Sequence, residues 1–383
     1  MMLTKLLRVE KEDTLLVRGP ARIEPKGEIY ILGMNLAEGD EVVVREHKIM
    51  PVESARGAEL VVHLGSGGGY SYERGYGAKL WAKELSRVVP NLDESKRVMV
   101  VGETDSGKST LTTLISNLLM GMGMYPHVID ADVGQGDLAP PGCIGAKRVK
   151  RKVTDLRDLE ADRFRFIGLI SPNGWEELVL DEIESLLSEG PEIVNTDGYL
   201  KGRGLEYKLE LAKRIDPDVI LLLSDEKLSG FEDRTVKLKR APFGKGIPGR
   251  IERRVSQYSK FLKDAKIRRE RLLEKRLWLL GHGFRHDGEW VCGDWRLALS
   301  NLTYGAIIVR KEEGLIELGM KDMAGMFVGL GHEEVEGFGM IRWARGRDAS
   351  ILTPVEEFDT ICLGAIRLSR MLDKERNLKV LLY

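Results

Sequence analysis

The chain has 383 residues, 43% of them apolar and 31% charged, which suits a soluble core with appended modules and excludes a peptide-sized binder. No run of about 18 apolar residues occurs, and the N-terminus breaks into charge within a few residues, so neither a membrane span nor a secretory leader is expected and the protein reads as cytoplasmic with no membrane partner. The net charge of −1 conceals an asymmetry: residues 234–276 carry 16 Lys/Arg against 4 Asp/Glu, a local +12 against −13 for the rest, which points to a polyanionic partner or to a solvated helix face.

Residues 1–64 alternate short β-type runs (TLLVR, EIYIL, EVVVR, LVVHL) with the turn pairs Gly19-Pro20, Lys26-Gly27 and Gly39-Asp40, the rhythm of a small β module. The glycine-rich stretch 65–77 reads as a surface loop, with Tyr70, Tyr72 and Tyr76 beside Arg74 available to stack on bases. From about residue 96 the pattern becomes βα alternation: RVMVV, a glycine loop, a helix to about 120, HVIDAD, RFIGLIS (165–171), helix EELVLDEIESLLS, EIVNTDG (192–198), helix 205–214 and DVILLLS (218–224). Short apolar strands separated by helices predict an α/β domain with a parallel sheet covered on both faces. The basic stretch follows, with helical spacing after about Arg250; β-like runs return beyond 277, ending in a helix-compatible segment near 356–372. The expected organisation is an N-terminal β-rich domain (1–90), a P-loop domain (91–276) with a basic lid segment at 234–276, and a mainly β C-terminal domain (277–383).

Cys143, Cys292 and Cys362 lack CxxC spacing, so they predict buried small residues rather than a zinc site. His282 and His286 are four apart but interrupted by Gly283, and they read as loop or surface histidines.

Gly102-Glu103-Thr104-Asp105-Ser106-Gly107-Lys108-Ser109 fits GxxxxGK[ST] directly between a strand and a helix, with Thr110 next in that helix. In such a loop successive N–H groups and a helix N-terminus face phosphate oxygens, the lysine reaches the β- and γ-phosphates, and the serine ligates Mg²⁺. The next strand ends in Asp130-Ala131-Asp132-Val133-Gly134-Gln135. At the C-terminal edge of a parallel sheet Asp132 can deprotonate an attacking hydroxyl while Asp130 holds the hydrated metal. Asn195-Thr196-Asp197-Gly198-Tyr199 and GLISP (168–172) are expected at the same edge, as site elements or as plain turns.

GETDSGKST, DADVGQGDLAPPG, GLISP and NTDGYLKGRG, followed by an arginine-rich stretch, resemble in order the polynucleotide 5′-hydroxyl kinases of the Clp1/Grc3/Nol9 type. RGPARIEPKGEIYILG resembles that family's opening. The resemblance implies ATP with Mg²⁺ or another divalent cation, and as substrates the 5′-OH ends of RNA or single-stranded DNA. It also implies RNA-processing proteins as partners. On it Asp132 activates the hydroxyl, Gln135, Thr196, Gly198 and Tyr199 belong to the substrate and clasp region, with Tyr199 in place of a tryptophan, and Arg250 and Arg254 are lid arginines. Two other readings stay open: an ATP-bound scaffold of an RNA-processing complex without turnover, and a MinD/ArsA-type ATPase, whose early P-loop lysine is missing here.

Overall fold

The computed structural model describes residues 2–241 and 246–383. Its N-terminal segment is built from β1 (Leu3–Val9), β2 (Asp13–Arg18), β3 (Ala21–Pro25), β4 (Ile29–Ile31), β5 (Met34–Leu36), β6 (Val42–Val44), β7 (Ile49–Val52), β8 (Ala58–Leu64) and β9 (Gly69–Arg74). The strands form an antiparallel sheet ordered β1-β8-β3-β6, a second ordered β7-β2-β9, and a hairpin of β4 and β5. On β8 the buried residues Ala58, Leu60, Val62 and Leu64 alternate with more exposed ones, the period-2 signature of a strand with one face on a core. The glycine-rich stretch is not simply a loop: β9 pairs along β2 from Asp13↔Arg74 to Arg18↔Gly69. Glycines confine the turn to residues 65–68, where a Cβ on Gly68 would lie 2.5 Å from the Pro20 carbonyl, while Tyr70 and Tyr72 supply β-forming side chains.

After α1 (Ala82–Val88) comes the parallel core: β10 (Arg97–Gly102), α2 (Lys108–Gly121), β11 (His127–Ala131), β12 (Cys143–Arg148), β13 (Arg163–Phe166), α3 (Glu176–Glu184), β14 (Glu192–Thr196), α4 (Arg203–Ile215), β15 (Val219–Leu223) and β16 (Thr235–Lys237). β10 lies between β14 and β15, parallel to both, β16 continues parallel beyond β15, and β11 pairs with β14. Nearly every residue of β10, β11, β14 and β15 is buried, as the continuous apolar runs predict for strands covered on both faces. RFIGLIS departs from the expectation. Only Arg163–Phe166 is strand, and it pairs antiparallel with Cys143–Ala146 of β12. The chain then turns at Gly168 (φ 73°), where a Cβ would lie 2.6 Å from the Gly364 Cα, so GLISP does not end a strand of the parallel sheet.

Among the described residues of the basic segment the α-helix is α5 (Gly246–Phe261). Asp264 takes a left-handed φ of 59°, the chain reverses, and Lys266–Arg271 forms strand β17 instead of continuing the helix. Dense charge hides the period-2 alternation of that strand. There follow β18 (Arg276–Leu279), β19 (His282–Asp287), β20 (Glu289–Cys292), β21 (Trp295–Ser300), β22 (Ala306–Arg310), β23 (Leu315–Gly319), β24 (Phe327–Gly331), β25 (Val335–Arg345), β26 (Asp348–Thr353) and β27 (Thr360–Leu363). The helix-compatible reading of 356–372 is corrected, since that stretch contains β27 and a further strand at Ile366–Leu368. His282 and His286 stand on a strand rather than in a loop, His282 stacked on Trp295 at 4.4 Å. Cys143 and Cys362 are buried, and burial raises both thiols, Cys362 to about 12, so they stay neutral; Cys292 is half-buried.

The chain groups into two compact units, each assembled from separated segments: Met1–Asp130, Lys147–Glu160 and Leu187–Arg253 in the first, Ala131–Ala146, Ala161–Leu186 and Arg254–Tyr383 in the second. In the second unit the end of α5 and the turn after it place Tyr258 and Leu262 in a core with Phe327, Phe338 and Met340, the Tyr258 and Phe327 rings 4.9 Å apart. No helix among the described residues is long and apolar enough to cross a membrane.

Candidate functional site

In the first unit β10 delivers the chain to Gly102, where a Cβ would fall 2.5 Å from Ser106 Oγ and 2.8 Å from the Leu223 Cβ. The loop then passes through Asp105 (φ 61°) and Gly107 (φ 103°) and enters α2 at Lys108. Left-handed backbone at these two positions lets the loop curl back over the helix N-terminus, which concentrates N–H donors there. Lys108 is only 6% exposed, and its Nζ donates to the carbonyls of Gly102 (3.0 Å) and Glu103 (2.9 Å), so the ammonium is held by the loop it serves. The Ser106 hydroxyl is buried without a protein partner.

Two arginines of the basic segment meet the loop's acids. Arg250 of α5 donates to Asp105 Oδ2 at 2.9 Å, and Arg240 forms a two-point pair with Glu103 at 2.9 and 3.2 Å while also reaching Asp225 at 3.1 Å. Arg240 was not singled out from the sequence. Its position in the run of charge was visible, but the fold was needed to show the Ala241 N–H bonding the Ser106 carbonyl at 2.9 Å and bringing the segment onto the loop. One residue pair further along α5, Glu252 meets His47 of the N-terminal module.

Parallel pairing of Val100 with Asn195 sets β14 beside the loop strand. Thr196 is fully buried and its hydroxyl donates to the Val100 carbonyl at 2.8 Å. Gly198 packs so closely on the loop that a Cβ would lie 2.3 Å from Thr104 Oγ1 and 2.6 Å from the Thr104 nitrogen, a requirement for glycine that explains why the loop and the Thr196–Tyr199 turn can be in contact at all. Tyr199 stacks on Tyr207 at 6.4 Å. Asp130 at the end of β11 is 1% exposed and accepts from Asn195 Nδ2 at 2.9 Å, while Asn195 Oδ1 is buried without a protein partner. A hydroxyl and an amide oxygen lacking partners, next to a helix N-terminus, a lysine and a carboxylate, fit a polyphosphate with its divalent cation. Ser109, half-buried in the first turn of α2, and Asp130 are the residues here that would hold the cation.

Asp197 and Lys208 were missed as a pair. Lys208 is fully buried on α4, its Nζ 2.7 Å from Asp197 Oδ2, and Asp197 Oδ1 accepts from the Tyr199 N–H at 2.7 Å. The pair therefore fixes the turn that carries Gly198. Removing one partner of a buried ion pair strands the other charge, which typically costs about 3–5 kcal/mol. Lys208→Met is thus expected to lower the melting temperature clearly in a thermal scan, and Asp197→Asn with Lys208→Met to recover part of that loss. A single variant that melts with the wild type would contradict this account.

Asp132, Gln135 and Arg254 fall in the second unit. Asp132 lies one residue past β11 rather than within the strand, half-buried, and its Oδ1 accepts from the N–H groups of Gly134 (3.2 Å) and Gln135 (2.9 Å). That closed turn leaves Oδ1 structural and gives the other carboxylate oxygen a defined direction. Gln257 of α5 donates to the carbonyls of Gly136 and Asp137, both at 3.3 Å. Arg254 is bound to Glu375 at 2.8 Å, so the two expected lid arginines have different partners: Arg250 an acid of the P-loop, Arg254 an acid near the C-terminus.

Comparison with known proteins bears on the family resemblance and the fold. Residues 102–269 match the family described as mRNA cleavage and polyadenylation factor CLP1 P-loop. A polyribonucleotide 5′-hydroxyl-kinase of Pyrococcus abyssi is 27% identical over 333 residues, 75% of this chain and 90% of the relative. Its counterpart in Pyrococcus furiosus is 31% identical over 190 residues, 46% of this chain and 53% of the relative, so that alignment spans about half the relative's length. A solved Clp1p–Pcf11p complex shares the fold, with a TM-score of 0.70 across 95% of this chain and 98% of that chain at 14% identity. The resemblance to Clp1-type kinases drawn from the motifs, and the α/β P-loop fold with flanking β domains, are borne out.

Proposed function

We propose that this chain is a polynucleotide kinase that transfers the γ-phosphate of ATP to the 5′-hydroxyl end of RNA. The observation that carries the proposal is the closed phosphate cradle, with Lys108 held over its loop and the Gly198 turn seated on Thr104, in a chain aligned over 333 residues with a relative named for that reaction.

Transfer forms a bond from the 5′-oxygen to the γ-phosphorus, breaks the bond to the bridging oxygen of the departing diphosphate, and passes the hydroxyl proton to Asp132. Little covalent work is asked of the protein, so positioning and positive charge dominate. Gly102 to Thr110 supply the cradle, and Lys108 the charge on the migrating group. Gln135, Thr196, Gly198 and Tyr199 form the clasp and substrate side, and Arg250 and Arg254 are the lid arginines. The first of these exchanges its contact with Asp105 for phosphate oxygen. Bound Mg²⁺ or another divalent cation neutralises phosphate charge, with Ser109 and Asp130 as its holders.

A single-turnover assay with γ-labelled ATP and 5′-hydroxyl oligonucleotides, RNA and single-stranded DNA in parallel, tests the reading. Label retained on ATP with both, despite tight nucleotide binding, would leave an ATP-bound scaffold. Since the basic segment is proposed to contact the strand backbone, log K for RNA is expected to fall with log salt at a slope of about −2 to −4, roughly −0.7 per phosphate contacted. A flat salt response, or transfer to free nucleosides in preference to oligonucleotides, would count against a polynucleotide substrate.

A further inference from the structure

The second unit has a sheet face, packed into the core at Met340 and Leu352 and buried at Ser350 but exposed at the residues around them, that the catalytic reading does not use. β17, β26 and β25 run side by side, antiparallel, and their register sets out three rows on one face: Ile267 opposite Leu352 and Met340, Arg269 opposite Ser350 and Trp343, and Arg271 opposite Asp348 and Arg345. A register shift between Ile341 and Trp343 brings the tryptophan onto this face. The opposite face is core: Ile341, Ile351, Ala344 and Ala349 are buried, Arg268 turns toward Glu356 at 3.9 Å, and Glu270 pairs with Lys275 at 2.8 Å. Alternation along a single strand thus separates Arg268 and Glu270, which serve the fold, from Ile267, Arg269 and Arg271, which do not.

Trp343 is 44% exposed and Ile267 64%. Arg269 and Arg345 are exposed and make no ion pair among the described residues; Arg271 pairs with Glu274 at 3.1 Å, and Asp348 stands between the arginines of the third row. At the near end this face is covered, Leu262 of the turn after α5 packing with Met340 and Leu352, and the exposed Lys263 follows in the same turn. A tryptophan two strand spacings, about 10 Å, from an unpaired arginine matches the alternation of base and phosphate along a single strand. A duplex keeps its base faces stacked inside the helix, so among nucleic acids this spacing fits a single strand.

We propose that this face is a platform for single-stranded RNA, with Trp343 stacking on a base and Arg269 and Arg345 contacting the neighbouring phosphates. The proposal rests on the polynucleotide reading and extends it to residues outside the phosphate cradle.

The test titrates a 5′-phosphorylated single-stranded RNA of about ten nucleotides, within the usual reach of such platforms, into the full chain while tryptophan emission and affinity are followed. Binding is expected to quench emission. Trp343→Leu should lose that quench and bind about tenfold more weakly, and Trp343→Phe should recover most of the affinity, which loss of packing alone would not produce. Arg269→Gln with Arg345→Gln should reduce the magnitude of the salt slope by about 1.4, two contacts at roughly 0.7 each. Wild-type affinity and quench in Trp343→Leu, with an unchanged slope in the arginine variant, would overturn the platform and assign the face to a protein partner. Transfer from labelled ATP to a 5′-hydroxyl oligonucleotide by the wild type is measured alongside. Its absence with Trp343-dependent binding intact defeats the kinase reading alone, and normal transfer with Trp343-independent binding defeats the platform alone.

Discussion

Lys108→Ala is expected to reduce transfer by at least about 10³-fold, the scale of losing a preorganised charge from a phosphoryl-transfer site. The ammonium is held by two carbonyls at 2.9 and 3.0 Å, an arrangement that places a full positive charge at the mouth of the loop and fixes its direction before substrate arrives. Charge that need not reorganise acts fully on the transition state. Because the side chain is buried, truncation also leaves the Gly102 and Glu103 carbonyls short of a donor, at about 1–3 kcal/mol. The variant must therefore be shown to be folded, by its melting temperature and near-ultraviolet dichroism, before its rate is interpreted. Lys108→Met keeps the aliphatic bulk and should be as inactive as the alanine variant. A folded Lys108→Met protein with near-wild-type single-turnover rates would rule out the proposed role of this lysine.

The phosphate cradle was legible in the sequence because its chemistry is local. A strand, eight residues and a helix start suffice, and β10 and α2 begin and end close to where the pattern put them. Strands buried on both faces were equally clear from unbroken apolar runs such as VILLL on β15. What resisted reading was structure whose cause lies far along the chain. The helical reading of 250–276 failed at Asp264 because the lysines and arginines of β17 look alike to a helix and to a strand, and the choice is made by pairing with residues 348–353. β9 was hidden for the same reason, its partner β2 being more than fifty residues away. Asp197 and Lys208 are eleven residues apart with ordinary neighbours, and only the turn into α4 joins them. Gly198, by contrast, carried a signal, a glycine after a strand end, though the atom it must avoid belongs to Thr104 and no spacing rule names it.

Asp132→Asn is expected to lower the transfer rate by about 10²- to 10⁴-fold with ATP affinity little changed, the usual span for losing a general base. The substitution is well matched to this residue. Asp132 Oδ1 accepts the N–H groups of Gly134 and Gln135, and an asparagine carbonyl oxygen can accept the same two bonds. The turn that aims the side chain is therefore kept, and what changes is the second oxygen, from a carboxylate able to take a proton to an amide NH₂ that cannot. Asp132→Ala would remove both the turn and the base and could not separate them. The measurement is single-turnover transfer at saturating ATP together with equilibrium nucleotide binding, with and without the divalent cation. A rate loss confined to the chemical step places the proton on Asp132 and leaves the metal to Ser109 and Asp130. If binding of ATP with its cation collapses while the complex that does form reacts normally, Asp132 is a metal-holding residue and its role as the base is wrong. The buried Asp130, already bonded to Asn195 at 2.9 Å, gives the internal comparison: Asp130→Asn should weaken cation-dependent binding first, so the two aspartates, adjacent but for one alanine, are expected to fail in different measurements.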